Sequence, residues 1–379
     1  MLTKRRFFAA LLTMLLLLSA STWAQIDLKP YEIESARFSA VEILAPDVYL
    51  VLHNGIMNGG QLPTALVLLD HGQKVFEQPL PDYADNSEFR TFYALFAADK
   101  DRYGLMSYDG TSFTRFQLLE NGVLSEGFSL SDRLSSFSVL PDGPCILRKQ
   151  DDLYLIEHLD WSGALLSSTP ISAIEATLYS GFTVLNDKSI AYIAYDIGDS
   201  HNPCKLYHLR LSPDGRLLSS VPISLSNTSI IPSGAFSPNG GMLSYAVAKL
   251  VKRREPYFSF LACSDAEGHL LFAKGLKAKN VNIIVHQAVV RDDGSAVVYG
   301  IAERDSQNLF RAFKLELDVF GRILSRDVRD FTTRAGDQYQ IQLDPLGNAY
   351  VVADDYEHPI AIVPFEALPT RDDIELILE

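Results

Sequence analysis

The chain has 379 residues, 47% of them hydrophobic and 21% charged, a balance that supports a packed core and excludes a disordered chain. Forty-seven acidic against 33 basic residues give a net charge of −14, which excludes a nucleic-acid partner gripped by clustered Lys and Arg. Three widely spaced cysteines, Cys145, Cys204 and Cys263, exclude a disulfide framework, and no C-x-x-C zinc pattern occurs.

From the amino end, the first predicted element is a signal peptide over residues 1–24. Lys4, Arg5 and Arg6 form a positive start, Phe7–Leu18 an apolar stretch, and Thr22-Trp23-Ala24 puts small residues where a signal peptidase reads. Cleavage is expected after Ala24. Arg5-Arg6-Phe7-Phe8 resembles a twin-arginine core, but the apolar Leu15–Leu18 favours the general export route. The apolar stretch is short for a membrane span and no second one follows, so the mature chain is expected to be periplasmic or secreted without a span.

Residues 25–379 read as one domain written in repeats. "LDWSGALLSSTPIS" (159–172) and "LSPDGRLLSSVPIS" (211–224) share nine of fourteen positions at an offset of 52. The closing glycines of this form fall at 72, 122, 163, 215, 268 and 321. A second turn series interleaves with it, from Ala45-Pro46-Asp47 through Pro141-Asp142-Gly143 and Pro238-Asn239-Gly240 to Pro345-Leu346-Gly347. Asn, Asp and Gly tolerate the positive φ of tight hairpins, and Pro presets an earlier turn position. Each period therefore holds strands A to D, with tight A–B and C–D hairpins and longer B–C and D–A loops. The units are expected near 40–80, 90–130, 136–171, 180–224, 233–277, 286–330 and 339–366. In the middle units the B strands "SIAYIAY" (189–195), "MLSYAVA" (242–248) and "AVVYGIA" (296–302) are apolar at nearly every residue, as strands covered on both faces are. Tyr192, Tyr245 and Tyr299 hold equivalent places there and are expected to pack between sheets. Cys145 and Cys263 lie in similar runs as small buried hydrophobes, leaving Cys204 as the candidate for a single bridge. The last unit has A, B and C strands but no D. "YEIESARF" (31–38) is expected to supply it, with "IELILE" (374–379) as the alternative.

A thin four-stranded unit buries neither face alone, and stacking copies in a ring buries both. The chain thus resembles the β-propeller superfamily: all-β, seven blades of four antiparallel strands, the ring closed by a terminal strand. "AFSPNGGMLSYAVA" (235–248) is similar to the WD40-like repeats of periplasmic propellers, whose S-P-D-G turn joins the first two strands. No recurring Trp-Asp pair accompanies it. The superfamily hosts many functions, so the resemblance implies the fold and no activity.

Chemistry is expected on the B–C and D–A loops around the mouth of the central channel. "KLVKRREPY" (249–257) offers Lys252, Arg253, Arg254 and Tyr257 to an anionic ligand, a sugar acid or an acidic partner. Asp196, Asp199 and His201 with Asp355 and His358 carry oxygen and imidazole ligands that would suit calcium or another divalent ion, although their blades lie across the ring from each other. No cofactor is otherwise implied. "HNGIMNGGQLP" (53–63) is a glycine-rich loop without the phosphate-loop order. His158 and His208 share a repeat position and are expected to be structural, whereas His286 opens an A strand near the channel and is the best catalytic candidate. No nucleophile elbow or H-E-x-x-H motif is found. Two functions are consistent with this set. One is an exported binding or scaffold module for a protein, peptide or glycan. The other is a hydrolase or lyase acting on a sugar, lactone or phosphoester in the channel. Neither oligomeric state nor ligand identity is encoded in any motif.

Overall fold

The computed structural model describes residues 37–379 apart from 55–64, 72, 81–91, 100–101, 109–113, 132–135, 151–152, 172–177, 197–203, 226–231, 249–255, 305–308, 332–337 and 355–360. Strands account for nearly all of the described structure; its single helical element is the 3-10 turn Phe365–Ala367.

Blade one comprises β1 (Arg37–Ala45), β2 (Val48–Asn54), β3 (Ala65–Asp70) and β4 (Gln73–Pro79). Blade two has β5 (Phe92–Ala97), β6 (Arg102–Tyr108) and β7 (Thr114–Glu120), with its outer edge split into β8 (Val123–Leu124) and β9 (Phe128–Leu130), both paired to β7. Blade three holds β10 (Ser136–Leu140), β11 (Gly143–Gln150), β12 (Leu153–Leu159) and β13 (Leu165–Ile171). Blade four holds β14 (Leu178–Val184), β15 (Ile190–Asp196), β16 (Cys204–Leu211) and β17 (Leu217–Leu225). Blade five holds β18 (Ser233–Phe236), β19 (Met242–Ala248), β20 (Phe258–Ser264) and β21 (Leu270–Lys277). Blade six holds β22 (Asn282–Val290), β23 (Ala296–Arg304), β24 (Leu309–Leu317) and β25 (Ile323–Asp330). Blade seven holds β26 (Gln338–Leu343), β27 (Ala349–Asp354) and β28 (Ala361–Pro364), and β29 (Ile377–Leu378) ends the chain. Every strand pairing is antiparallel and, apart from β9 on β7 and β29 on β21, joins consecutive strands of one blade; each blade boundary lies within four residues of the one expected from the repeats.

The hairpins form where the turn residues fall. Asp47 and Lys188 take positive φ in A–B turns, as Gly240, Gly294 and Gly347 do in theirs, and Gly163, Gly215, Gly268 and Gly321 do so in C–D turns. The first strands of successive blades touch one another around an axis, β5 and β10 through the Phe96 and Phe137 rings, and β26 meets β1, so the seven blades make a closed ring. The B-strand tyrosines are buried between blades as expected: Tyr192, Tyr245 and Tyr299 are all under 9% exposed. His208 is equally buried. It sits on β16 with Nδ1 2.8 Å from the Ser264 hydroxyl and Nε2 2.8 Å from the Ser244 hydroxyl, so it bridges blades four and five. His158 instead reaches back within its own blade, its Nε2 3.0 Å from Asp142. No disulfide forms; Cys145, Cys204 and Cys263 are all buried thiols, which corrects the candidate bridge at Cys204. Burial pushes the Cys145 and Cys263 thiols up to about 12.

Ring closure is seen only as far as the described residues reach. Blade seven has three strands among the described residues. Arg37 and Phe38 belong to β1, paired to β2, and residues 31–36 lie outside the described residues. The carboxyl tail does not complete blade seven either. It runs back along the outer rim, bridging to blade six at Arg329 and Thr370, and then adds β29 to the edge of β21 in blade five. Ile374 and Leu376 sink into the apolar layer between blades five and six. Arg311, 9% exposed, holds Asp330 at 2.8 Å and Asp373 at 2.7 Å. Among the described residues blades one and seven meet by face packing: Val41, Ile43 and Tyr49 against Tyr350, Val352 and Ile362, with the two tyrosine rings edge-on at 6.5 Å.

Candidate functional site

The inner strands bring polar side chains to the axis at two depths. The first lies between blades six and seven. On β22 the register shifts between Val285 and Gln287, which makes His286 the extra residue of a β-bulge. Bulges re-aim side chains at rims and next to active sites, and β1 and β14 carry similar shifts near their loop ends. His286 lies against the Tyr339 ring at 6.4 Å. Its Nε2 is buried and finds no hydrogen-bond partner among the described residues, and the same holds for Nε2 of Gln340 on the adjoining strand. Gln287 and Gln342 join the two strands at 3.4 Å. Burial holds the His286 imidazole down at about 4, so it is neutral at physiological pH.

The basic loop ends beside this wall. Of its four candidate ligand residues only Tyr257 is described; Lys252, Arg253 and Arg254 lie outside the described residues. Tyr257 N–H donates to Asn282 Oδ1 at 2.9 Å, and its carbonyl accepts from Ile283 N–H at 2.9 Å. The end of the loop is therefore pinned to β22, the strand that carries His286, and the Tyr257 side chain stays 39% exposed. Asn282 Nδ2 also donates to Glu303.

The proposed ion ligands are not brought together among the described residues. Asp196 ends β15 in blade four, while Asp199, His201, Asp355 and His358 lie outside the described residues. No group of three described His, Cys, Asp or Glu residues is placed to hold a metal. The glycine-rich loop is likewise undescribed over 55–64.

The second polar depth was missed by sequence reasoning. A cavity of about 330 Å³ opens at the hairpin end of the channel, where blades seven, one and two meet. Glu42 of β1 lines it together with Asp99 and Asp344. Asp99 is engaged by Arg102, and Asp344 accepts backbone N–H groups from Leu346 and Asn348 in its own turn. Glu42 has no such partner among the described residues, and burial raises its carboxyl to about 7. The signal was a lone acid inside the run "AVEILA", where Val41 and Ile43 bury between blades and the residue between them turns the other way. The folded state holds a proton on Glu42 that the unfolded chain loses above about 4.5. Stability therefore falls as pH rises from 4.5 to 7. Glu42→Gln is expected to raise stability by about 3 kcal/mol at pH 8 and to change little at pH 4. Urea unfolding at the two pH values checks this; equal shifts at both would count against it.

Neither a family model nor a curated protein matches the chain. Solved structures do. The β-propeller domain of the Trilobed protease from Pyrococcus furiosus, described as having an open velcro topology, aligns over 86% of this chain and 93% of its own at TM-score 0.50 and 9% identity. Prolyl oligopeptidase B from Galerina marginata aligns over 92% of this chain at TM-score 0.47 and 13% identity, and the match covers 52% of that enzyme, about half its length. A periplasmic gluconolactonase of Pseudomonas aeruginosa aligns over 90% of this chain and 99% of its own at TM-score 0.43 and 12% identity. At these identities the likeness concerns the fold. The blade count, the strand order and the closed ring make the chain a seven-bladed β-propeller, in keeping with the first of these neighbours.

Proposed function

We propose that the protein is an exported binding module that holds a peptide, protein segment or glycan at the loop-side mouth of its channel, beside blades five to seven. One observation carries the reading: the backbone of Tyr257 is pinned to Asn282 and Ile283 on the same inner strand that presents His286. The aromatic end of the basic loop and the polar wall are thereby tied to one strand. Tyr257 would supply a flat apolar contact with a polar tip. Neutral His286 and the Gln340 amide would meet hydroxyl or carbonyl groups, and Arg253 and Arg254 any carboxylate. Peptide and glycan arrays test the reading, followed by affinity measurement on the best hit. Arg253→Glu with Arg254→Glu, and separately Tyr257→Ala, are expected to weaken binding at least tenfold. Absence of any array signal, or variants that bind like the parent, would discard it. Export belongs to the same proposal and is checked by the mass of the mature chain, expected to begin at Gln25. Calcium or another divalent ion at Asp196, Asp199, His201, Asp355 and His358 would be an accessory of the same face, detectable by calorimetry.

A second reading rests on Glu42. A half-buried carboxyl raised to about 7 by loss of water, in a cavity at the inner strands, is a suitable general acid or base. A hydrolase or lyase acting on a sugar, lactone or phosphoester would use it, and Glu42→Gln would abolish turnover while leaving loop-face binding intact.

A further inference from the structure

The seams between neighbouring blades are not equivalent. The C–D turn glycine of each middle blade abuts the blade before it. A β-carbon built on Gly163, Gly215, Gly268 or Gly321 would come within 3.0 Å of Phe128, Pro170, Ser219 or Phe272 respectively. Gly122, the equivalent residue of blade two, meets nothing within 4 Å. The seam between blades one and two gapes there, and it holds a cavity of about 550 Å³ on the hairpin side. That volume falls within the range of small-molecule pockets and is several times that of an apolar cavity that takes up benzene. Its walls are aliphatic and aromatic, with Leu44, Val48, Leu50, Leu68, Phe76 and Leu119 prominent. At the lip stands Leu346, 81% exposed.

We propose that this seam is a binding site for an uncharged aliphatic chain, entered from the hairpin face past Leu346. Three observations select that occupant. The lining offers little to hydrogen-bond: Asp344 is occupied by its own turn, Tyr103, 8% exposed, brings one phenol, and the Asn121 amide lies at the rim. A peptide backbone inside would therefore leave N–H and C=O groups unmet, at a cost an alkyl chain does not incur. The acids nearby, Asp344 in the wall, Glu42 in the adjoining cavity and Asp47 at the A–B turn beside Pro46, oppose an anionic head group. Asn121, with its backbone at positive φ on an exposed turn, can meet a hydroxyl or ester at the mouth. The site lies on the face opposite the basic loop and stands or falls independently of the function proposed above.

The test is a fluorescence titration of the full mature chain with the neutral probe 1-aminoanthracene, followed by displacement. Saturable one-to-one binding is expected, with 1-decanol displacing the probe at least ten times more effectively than decanoate at pH 8. Ala45→Phe, which fills the seam from the end of β1, is expected to weaken probe binding at least tenfold without altering loop-face binding. Leu346→Trp blocks the lip from an exposed position that carries no folding load and serves if Ala45→Phe unfolds. No saturable binding by the parent chain, equal displacement by decanol and decanoate, or an unchanged titration in a folded blocking variant would each overturn the proposal.

Discussion

Removing residues 369–379 is expected to lower unfolding free energy by on the order of 5 kcal/mol, a large share of the total for a domain. The tail acts at the rim rather than at the join between first and last blades. Ile374 and Leu376 are each 5% exposed in the layer between blades five and six, and burying two such side chains contributes about 4 kcal/mol. Gly275 and Glu379 exchange backbone hydrogen bonds at 2.7 and 3.1 Å, and their loss reopens the β21 edge. Arg311 would keep Asp330 but lose Asp373. The Arg311 guanidinium holds the Asp373 carboxyl below the ordinary carboxylate range, so this contact persists well into mild acid. Asp373→Ala alone is expected to cost about 1 kcal/mol, because the carboxylate is partly exposed. Urea unfolding of the truncated and full chains checks the larger figure. A midpoint that does not move would show that the rim contacts contribute no net stability.

The second large effect is expected at His208. Replacing it with Ala removes a filled volume and strands the hydroxyls of Ser244 and Ser264 at a buried seam, which together cost about 4 kcal/mol. His208 also fixes a pH dependence. Burial holds its imidazole at about 3 in the folded state, against about 6.5 in the unfolded chain. The unfolded chain binds a proton there that the folded one refuses. The contribution of His208 is thus complete above pH 6.5 and is lost as pH falls from 6.5 toward 3, at about 1.4 kcal/mol per pH unit. Glu42 acts with the opposite sign between 4.5 and 7, so the parent profile is the flatter sum of the two. In His208→Ala the acid loss should shrink, and in Glu42→Gln it should steepen. Thermal melts from pH 4 to 8 separate the two; parallel profiles for parent and His208→Ala would exclude the assignment.

The blade pattern was legible because it is local. Turn residues with positive φ and strands apolar on both faces write their own boundaries, and even the split edge of blade two falls inside the expected 90–130. The equivalence of His158 and His208 was legible too, but not their different partners. A histidine before a C–D turn can face its own A–B turn or the next blade, and the choice depends on whether serines stand opposite. The course of the tail was not read, since "IELILE" alternates like any edge strand and nothing within six residues names its partner. The information lay far away. Arg311, Arg326 and Arg329 gather on one blade and pair with Asp373, Asp372 and Glu366. Of the proposed binding face, Tyr257 and His286 stood out by residue type and loop position. Glu42 was passed over because a single acid in an apolar strand carries no periodic signal.

The three buried thiols give the ring a built-in clock. Cys145, Cys204 and Cys263 stand on blades three, four and five, one per blade and each inaccessible while its seams hold. Alkylation of any one of them requires that wedge to open. In dilute denaturant, the order in which mass spectrometry finds the three modified would therefore record where the circle first comes apart.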